Sequence, residues 1–439
     1  MDGAKFSEVM QRMIPPHELE QLCAEFAPRA RGGRKLGATE LVQSLIFHQL
    51  CPGGTLARHG TQLHGVAMSD AAYARRRARL PVQMFEALMD AALSPLADPQ
   101  LHPQCFFAGY RVVGIDGSQS SVSNTAAILE ALPKAASRRF KAAFAKLRLL
   151  TLVELGTHAP LAARAAPVGE SEQALAEKLW ASVPEGSLVV ADRLFGAPLT
   201  LHRAQSAWGE RDIAFLVRIR ENLKAQIIER LPDGSALIEV PVREDGKLLG
   251  RARWREIRAR GRSIDGKAFE LRLWTSLLDE KRFSAEALAR RYAERWEHEL
   301  YYRELKLDVR NRPLLAGHTV ETALQELCAI VLATALIARL RVEAASAAKV
   351  PPTRVSFYKL MLEVEPLWNT ERLLGDSLTR AQREQMLAKF YENVRRWALL
   401  PERRARSCPR VVRQPVTKWP RKTTQRSHTG EVRLAITRI

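Results

Sequence analysis

The chain has 439 residues, of which 46% are hydrophobic and 26% charged. This composition indicates a folded protein with a sizeable core and excludes a disordered chain. Lys and Arg outnumber Asp and Glu by 68 to 48, which gives a formal net charge of +20. Such an excess of positive charge favours a polyanionic partner, most commonly nucleic acid. A membrane surface is the rival partner, and the other alternative is a protein that is merely basic.

We expect neither export nor membrane insertion from the apolar segments of the sequence. No charged leader followed by an apolar run stands at the N-terminus, so we expect no secretory signal. The longest apolar run, Leu327 to Ala338, is shorter than the ~18 residues of a membrane span and predicts a buried core helix. The five cysteines are far apart and include no C-x-x-C pair. We therefore expect neither a zinc ribbon nor disulfides, and a reducing cytoplasmic location.

Residues 1–105 are predicted to form a helical N-terminal domain. Thr55 to Leu63 favours one short helix, Gly65 to Ser69 a turn, and Asp70 to Leu80 a second helix with Ser69 as its N-cap. The second helix carries four arginines: Arg75, Arg76, Arg77 and Arg79. This order is typical of a helix-turn-helix, whose second helix contacts DNA, although an ordinary helical hairpin fits it equally well.

Residues 106–220 change to an alternation of strands and helices. Strands are predicted at 111–115, 147–155, 161–168, 187–191 and 213–219, with helices at 170–182 and 197–207. This order predicts a mixed α/β sheet whose fourth strand is added in parallel through a crossover. Two strands end at an acidic residue: Asp116 follows the first, and Asp192 follows the wholly apolar fourth.

The remaining chain divides into three predicted regions. Residues 221–282 form a β-rich insertion, with strands at 236–242, 251–260 and 269–277 and Asp-Gly turns between or beside them. Residues 283–400 are predicted to be helical. Residues 401–439 form a tail with eleven Lys or Arg against two Glu. Such a tail is typical of an arm that contacts a nucleic-acid backbone, or of a solvated, disordered end.

Asp116 and Asp192 are candidate ligands of a hard cation. In an open α/β sheet, ligands bind beyond the carboxyl ends of the parallel strands, so the two carboxylates would lie side by side if their strands are neighbours. Carboxylates without His or Cys nearby suit Mg²⁺. Taken alone, however, an Asp-Gly pair is usually a turn.

The segment from Arg291 to Lys306 is the most specific pattern in the chain. On a helix at 100° per residue, one phenol, one carboxylate and three cations fall within an arc of about 80°. These are Tyr292, Arg295, Glu299, Arg303 and Lys306. A solvated helix with i,i+4 charge pairs would explain the charges. It would not explain Tyr292 or Trp296, and we expect Trp296 to be buried. His298 points to another face of the helix, and we expect it to be structural.

The spacing Y-x2-R-x3-E-x6-K resembles the signature of the insertion element 4 family of bacterial transposases. Gly114 to Ser118 looks like the first-aspartate block of that family, and Val190 to Phe195 looks like the second. Tyr292 to Lys306 matches the third block at every signature position. The tail segment Arg406 to Arg413 is also similar, and the N-terminal helices resemble the family more loosely.

The resemblance implies a fold and a mechanism. The fold would be α/β, with a ribonuclease H-like mixed sheet, a β-rich insertion between the second Asp and the Glu, and helical N- and C-terminal regions. Asp116, Asp192 and Glu299 would bind two Mg²⁺ ions, with Mn²⁺ as a substitute, in a DDE transposase that cleaves and joins DNA.

The resemblance also implies DNA contacts. The phosphates of the transposon end would be held by one phenol and three cations: Tyr292, Arg295, Arg303 and Lys306. Some family members stack an extruded base on a Trp of the insertion, for which Trp274 is the candidate and Trp254 the other option. A Trp in a strand is more often part of the core. The expected partners are terminal inverted repeats and target DNA, bound by a homodimer and without a membrane.

Two other functions stay open. The chain could be a catalytically silent, sequence-specific DNA-binding protein derived from a transposase, although the presence of all three carboxylates argues against this. It could also be a metal-dependent nuclease that cuts DNA without joining it.

Overall fold

The structure is a computed structural model that describes residues 10–26, 36–51, 53–134, 142–262, 268–310, 312–374, 377–401 and 433–437. Most of the predicted basic tail, including the segment 406–413, lies outside the described residues, as does the predicted turn at 265–266. The chain divides into two compact units. The first comprises Met1–Ser187, Ala207–Ile213 and Arg295–Leu399, and the second Leu188–Ser206, Ala214–Glu294 and Leu400–Ile439.

Helices dominate both ends of the described chain, and strands occupy its middle. The helices are α1 (Pro16–Phe26), α2 (Ala38–Leu50), α3 (Leu56–His64), α4 (Asp70–Arg77), α5 (Val82–Ala92), α6 (Ala126–Ala131), α7 (Glu172–Glu177), α8 (Pro198–Trp208), α9 (Ala285–Tyr292), α10 (Trp296–Arg303), α11 (Val320–Ala348), α12 (Phe357–Leu374) and α13 (Arg380–Asn393). The strands are β1 (Phe106–Phe107), β2 (Tyr110–Ser121), β3 (Lys146–Glu154), β4 (Ala159–Pro167), β5 (Ser187–Ala191), β6 (Ile213–Arg218), β7 (Gln226–Arg230), β8 (Ala236–Glu244), β9 (Lys247–Arg262), β10 (Ala268–Thr275) and β11 (Arg433–Ile436).

The predicted pair of short N-terminal helices is confirmed as α3 and α4. The Oγ1 of Thr55 accepts a hydrogen bond from the N–H of Arg58 at the start of α3, and Ser69 caps α4 in the same way. Gly65 ends α3 with a φ of 68°, a left-handed conformation that glycine adopts without strain. α4 ends at Arg77, three residues before the predicted end at Leu80.

α11 is the core helix of the first unit, as the apolar run predicted. Of the described helices it alone is long and apolar enough to cross a membrane by length and composition, yet 89% of its most apolar window is buried. The Oγ1 of Thr319 caps its first turn, and Lys349 ends it in a left-handed conformation. Its length is explained by a run of Ala and Leu, which lose little side-chain entropy in a helix.

The strands of the first unit form an antiparallel meander in the order β4-β3-β2, with β1 paired to β2. Each of the three long strands carries a buried apolar series, such as Val112, Val113 and Ile115 on β2. The predicted second and third strands are confirmed as β3 and β4. The first strand is longer than predicted, because β2 continues past Asp116 to Ser121 in register with β3.

The second unit contains the insertion. β5 and β6 are neighbours joined through α8, and the order continues β6-β10-β9-β8-β7, with β11 paired to β9. β8, β9 and β10 correspond to the predicted insertion strands. β7 was not predicted, because all five of its residues are exposed and show no apolar alternation. The α/β class, a ribonuclease H-like mixed sheet with a β-rich insertion and flanking helices, is confirmed.

Candidate active site

Asp116 lies in the middle of β2, where the sequence predicted the end of a strand. Its backbone pairs with Thr151 of β3. The Asp-Gly turn signal fails here because Gly117 is extended and continues the ladder with β3. A Cβ at Gly117 would meet the carboxylate carbon of Glu172 at 2.4 Å, so a larger residue there would displace the end of the Glu172 side chain.

Arg295 connects Asp116 to Glu299 of α10. Its Nη2 donates to the Oε1 of Glu299 at 3.1 Å, and its Nη1 lies 3.9 Å from the Oδ2 of Asp116. The side chains of all three residues are 19–20% exposed. Two of the three predicted metal ligands therefore face the same guanidinium.

A chain of buried hydrogen bonds joins the backbone of Asp116 to α10, the helix that carries Glu299. The Tyr302 hydroxyl donates to the carbonyl oxygen of Asp116 at 2.6 Å and lies 3.0 Å from the Oγ1 of Thr151. That Oγ1 also lies 2.8 Å from the Nε2 of His298, the residue next to Glu299. Burial, with Arg295 and His158 nearby, lowers the pKa of His298 to about 3, so its ring is neutral. The prediction that His298 is structural is confirmed.

Lys306 is held against β2 beside Asp116. Its Nζ donates to the Oγ of Ser118 and to the carbonyl oxygen of Gln119. Burial, with Arg310 and Lys146 nearby, lowers the pKa of Lys306 to about 8. No sequence pattern marks Ser118 as the anchor of this lysine, because the contact depends on how the helical segment packs on the strand.

The helical segment is not the single regular helix on which the predicted arc was drawn. α9 ends at Tyr292, a 3-10 turn covers Ala293–Arg295, and a π-helical segment, Glu304–Val309, follows α10. Lys306 lies in the π-helical segment, so its direction departs from 100° per residue. Tyr292 is buried, in the second unit, and Arg303 is exposed. The prediction that Trp296 is buried is wrong, since it is 42% exposed.

Asp192 directly follows β5 in the second unit, as predicted. All five residues of β5 are buried. The Oδ1 of Asp192 accepts a hydrogen bond from the N–H of Leu194 at 2.7 Å, and its carbonyl oxygen accepts one from Phe195. These bonds form a turn that holds the half-buried carboxylate at the carboxyl end of the strand.

The candidate metal ligands are carboxylates. Within the ranges that the structure describes, no three His, Cys, Asp or Glu side chains are grouped so as to hold a metal. Asp116 and Glu299 nevertheless present carboxylate oxygens, the ligands that Mg²⁺ prefers, around a shared positive charge. The chemistry of this pair fits a hard cation.

Trp274 and Trp254 belong to the core of the second unit. Both are buried, and their ring centres are 5.5 Å apart. The Nε1 of Trp274 donates to the Oε2 of Glu256 at 2.8 Å, and that of Trp254 to the Oε1 of Gln205 at 2.9 Å. This packing argues against the predicted stacking of an extruded base on Trp274, because the ring has no exposed face.

The four arginines of the predicted second helix, three in α4 and Arg79 just past its end, divide into two groups. Arg77 donates to the carbonyl oxygen of Thr322 and to the side chain of Gln325, both on α11. Arg76 donates to the carbonyl oxygen of Leu36. Arg75 and Arg79 are exposed. Two of the four arginines thus stabilise the helical region, and two remain on its surface.

Comparisons with known proteins identify the family of this chain. Residues 108–336 match the family model described as the transposase DDE domain. The chain is 27% identical over 320 residues to the transposase InsG for insertion sequence element IS4 of Escherichia coli (strain K12), which covers 72% of this chain and 71% of that protein. It is 33% identical over 88 residues to the putative transposase InsZ of the same organism, which covers 20% of this chain and 29% of that protein.

A solved structure, the piggyBac transposase synaptic complex with hairpin DNA, aligns with 92% of this chain and 87% of its own at 9% identity and a TM-score of 0.47. The family match covers the two aspartate blocks and the segment from Tyr292 to Lys306. The chain therefore belongs to the transposase DDE domain family.

Proposed function

We propose that this transposase cleaves and joins DNA at the ends of an insertion sequence, with Asp116, Asp192 and Glu299 as ligands of two divalent metal ions. The observation that carries the proposal is the shared contact of Asp116 and Glu299 with Arg295. Carboxylates that face one another repel, and a cation between them removes this repulsion. Asp192, held at the end of β5, would supply the third carboxylate.

The chain's own residues would divide the work at such a site. The chemistry that the metal ions supply is activation of a water or 3′-hydroxyl and stabilisation of the oxygen that leaves phosphorus. Mg²⁺ fits a set of carboxylate ligands, and Mn²⁺ would substitute for it. Arg295 would exchange its carboxylate partners for a phosphate of the DNA end, which a guanidinium binds bidentately. Tyr292, Arg303 and Lys306 complete the proposed phosphate contacts.

The net charge of +20 supports DNA as the partner. We expect the protein to bind its terminal inverted repeats and target DNA as a homodimer on paired ends, in the cytoplasm. The proposal competes with a catalytically silent DNA-binding protein and with a nuclease that does not join.

A cleavage assay distinguishes these functions. A duplex that carries the element's terminal repeat is incubated with the protein and Mg²⁺, together with a supercoiled target plasmid. We expect free 3′-hydroxyl ends and then end-to-plasmid joined products, both abolished in Asp192→Ala protein and in EDTA. Binding without cleavage would favour the silent protein, and cleavage without joined products would favour the nuclease.

The exposed arginines Arg75, in α4, and Arg79, just past its end, offer a test of the helix-turn-helix hypothesis. Replacing Arg75 and Arg79 with Ala is expected to weaken end binding and to reduce the salt slope by about 0.9 for each phosphate that is no longer neutralised. The melting temperature should not change, since both side chains are exposed. Arg77→Ala is the matched control. It should lower the melting temperature because it removes hydrogen bonds to α11. An unchanged salt slope in the double variant would favour an ordinary helical hairpin.

A further inference from the structure

A buried ionic network holds α10, the helix that carries Glu299. His158 lies in the turn between β3 and β4 and is fully buried. Its Nε2 lies 2.8 Å from the Oε2 of Glu297, and its Nδ1 lies 2.7 Å from the Oε2 of Glu304. These two glutamates stand on either side of Glu299 in the chain, at the first turn of α10 and just past its end. One imidazole therefore contacts both ends of the helix.

The chemistry of the contacts fixes the charge of this imidazole. Ionised carboxylates only accept hydrogen bonds, so both ring nitrogens of His158 must donate, and the ring is an imidazolium. Arg341, also buried, donates from Nη2 to the Oε1 of Glu304 at 2.9 Å. Its Nη1 lies 3.1 Å from the Nδ1 of His158. Burial opposes the charge of His158, but Glu304 and Glu297 outweigh it and raise its pKa. Two cations thus face two carboxylates, which is the condition for burying such charges.

The turn that carries His158 is itself held in place. His158 has a φ of 59°, a left-handed conformation that a residue with a side chain keeps only where its surroundings impose it. Its N–H donates to the carbonyl oxygen of Glu154 at 2.9 Å, and the Oγ1 of Thr157 donates to the Glu154 carboxylate. That carboxylate is buried and paired with Arg111. The imidazolium is therefore attached to the sheet at a fixed point.

We propose that His158 is a positioning residue for Glu299. Held by the β3–β4 turn, it fixes the rotation and the axial position of α10 through Glu297 and Glu304. A helix turns 100° per residue, so a small rotation about its axis would move the Glu299 carboxylate away from Asp116. The inference rests on the proposed function of Glu299 as a metal ligand. His158 touches neither the metal ligands nor the proposed phosphate contacts.

The test compares His158→Asn with the matched variant His102→Asn. Asn tolerates a positive φ, so the change at 158 removes the imidazolium and spares the backbone. His102 is a second buried histidine of the first unit, which contacts Asp98 and Ser346 instead of α10. Two quantities are measured in each variant. They are the Mg²⁺ concentration that gives half-maximal end cleavage, and the hydrogen-exchange protection of residues 296–309.

In His158→Asn we expect the half-maximal Mg²⁺ concentration to rise roughly tenfold. Removing a residue that orients a metal ligand lowers metal affinity by about 10–100-fold, and we expect an effect at the lower end of that range. Saturating Mg²⁺ should restore most of the cleavage rate, and protection of residues 296–309 should fall. In His102→Asn both quantities should match the unaltered protein. Should His158→Asn not fold, Glu297→Gln removes one carboxylate at nearly constant size and should raise the Mg²⁺ requirement in the same direction.

Unaltered Mg²⁺ dependence and protection in folded His158→Asn protein would overturn the inference. The same result in Glu297→Gln would overturn it if the first variant does not fold. Failure of the unaltered protein to cleave would instead count against the proposed function. In that case the hydrogen-exchange protection of residues 296–309 in His158→Asn still decides whether His158 anchors α10.

Discussion

Replacing Glu299 with Gln is expected to lower the rate of end cleavage by roughly a thousandfold or more, with DNA-end binding nearly unchanged. A metal ion supplies several kcal/mol of transition-state stabilisation, and each 1.36 kcal/mol is a factor of ten in rate. Gln keeps the size of Glu and can still accept a hydrogen bond from Arg295, so α10 should stay in place. The cleavage rate and the end-binding constant are measured on the same preparation.

The control for this variant is Glu294→Gln. Glu294 precedes α10 by one short turn and pairs with Arg291, so the change removes the same charge nearby without touching the candidate site. Its cleavage rate should stay near that of the unaltered protein. A Glu299→Gln protein that cleaves as fast as Glu294→Gln would remove Glu299 from the metal-ligand set.

Replacing Arg255 with Met is expected to destabilise the second unit by about 3–5 kcal/mol, the usual cost of breaking a buried ion pair on one side. Arg255 is fully buried in β9. It pairs with Asp233, and its Nη1 donates to the carbonyl oxygen of Phe283 at 2.6 Å. The Oδ2 of Asp233 in turn accepts from the N–H of Ala285 at 2.8 Å, so the pair ties the insertion to the start of α9.

Arg260→Met on the same strand is the matched control. Arg260 pairs with Glu270, the two side chains are 67% and 61% exposed, and surface ion pairs contribute about 0–1 kcal/mol. Urea unfolding is followed by hydrogen exchange in β8, β9 and β10, which monitors the second unit separately. Equal midpoints for the two variants would contradict the role given to Arg255.

The same pair predicts an acid sensitivity. Burial acts to raise the pKa of Asp233, but hydrogen bonds from Ser235 and Ala285 and the charge of Arg255 outweigh it, so the pKa is lowered from 3.8. A carboxyl group with a lowered folded-state pKa contributes stability above its unfolded value and loses it as pH falls through the folded value. Arg255→Met removes one of these causes, so the variant should lose less stability than the unaltered protein on acidification below pH 3.8.

Local signals predicted the elements whose bounds depend on neighbouring residues. Thr55, Gly65 and Ser69 mark the bounds of α3 and α4, because caps and left-handed ends depend on residues only a few positions apart. The apolar run at 327–338 predicted a buried helix, and the wholly apolar β5 predicted the place of Asp192. Each of these features is decided within one short segment of the chain.

Predictions that depended on distant partners were less successful. The Asp-Gly pair at 116 predicted the end of a strand, but pairing with β3 keeps it extended. Trp296 was expected to be buried and is exposed, whereas Trp274 lies in the core against Trp254. Burial of a tryptophan depends on the element that packs over it, which a pattern along one segment does not contain.

The sequence by itself determined the family, the order of strands β2 to β6, and the candidate set Asp116, Asp192 and Glu299. Spacing and local periodicity are enough for these, because they are properties of short segments. Only the tertiary structure decided that Arg295 joins Asp116 to Glu299 and that His158 holds both sides of α10. Those contacts join residues far apart in the chain, and they depend on strand register and helix packing, which local preferences do not fix.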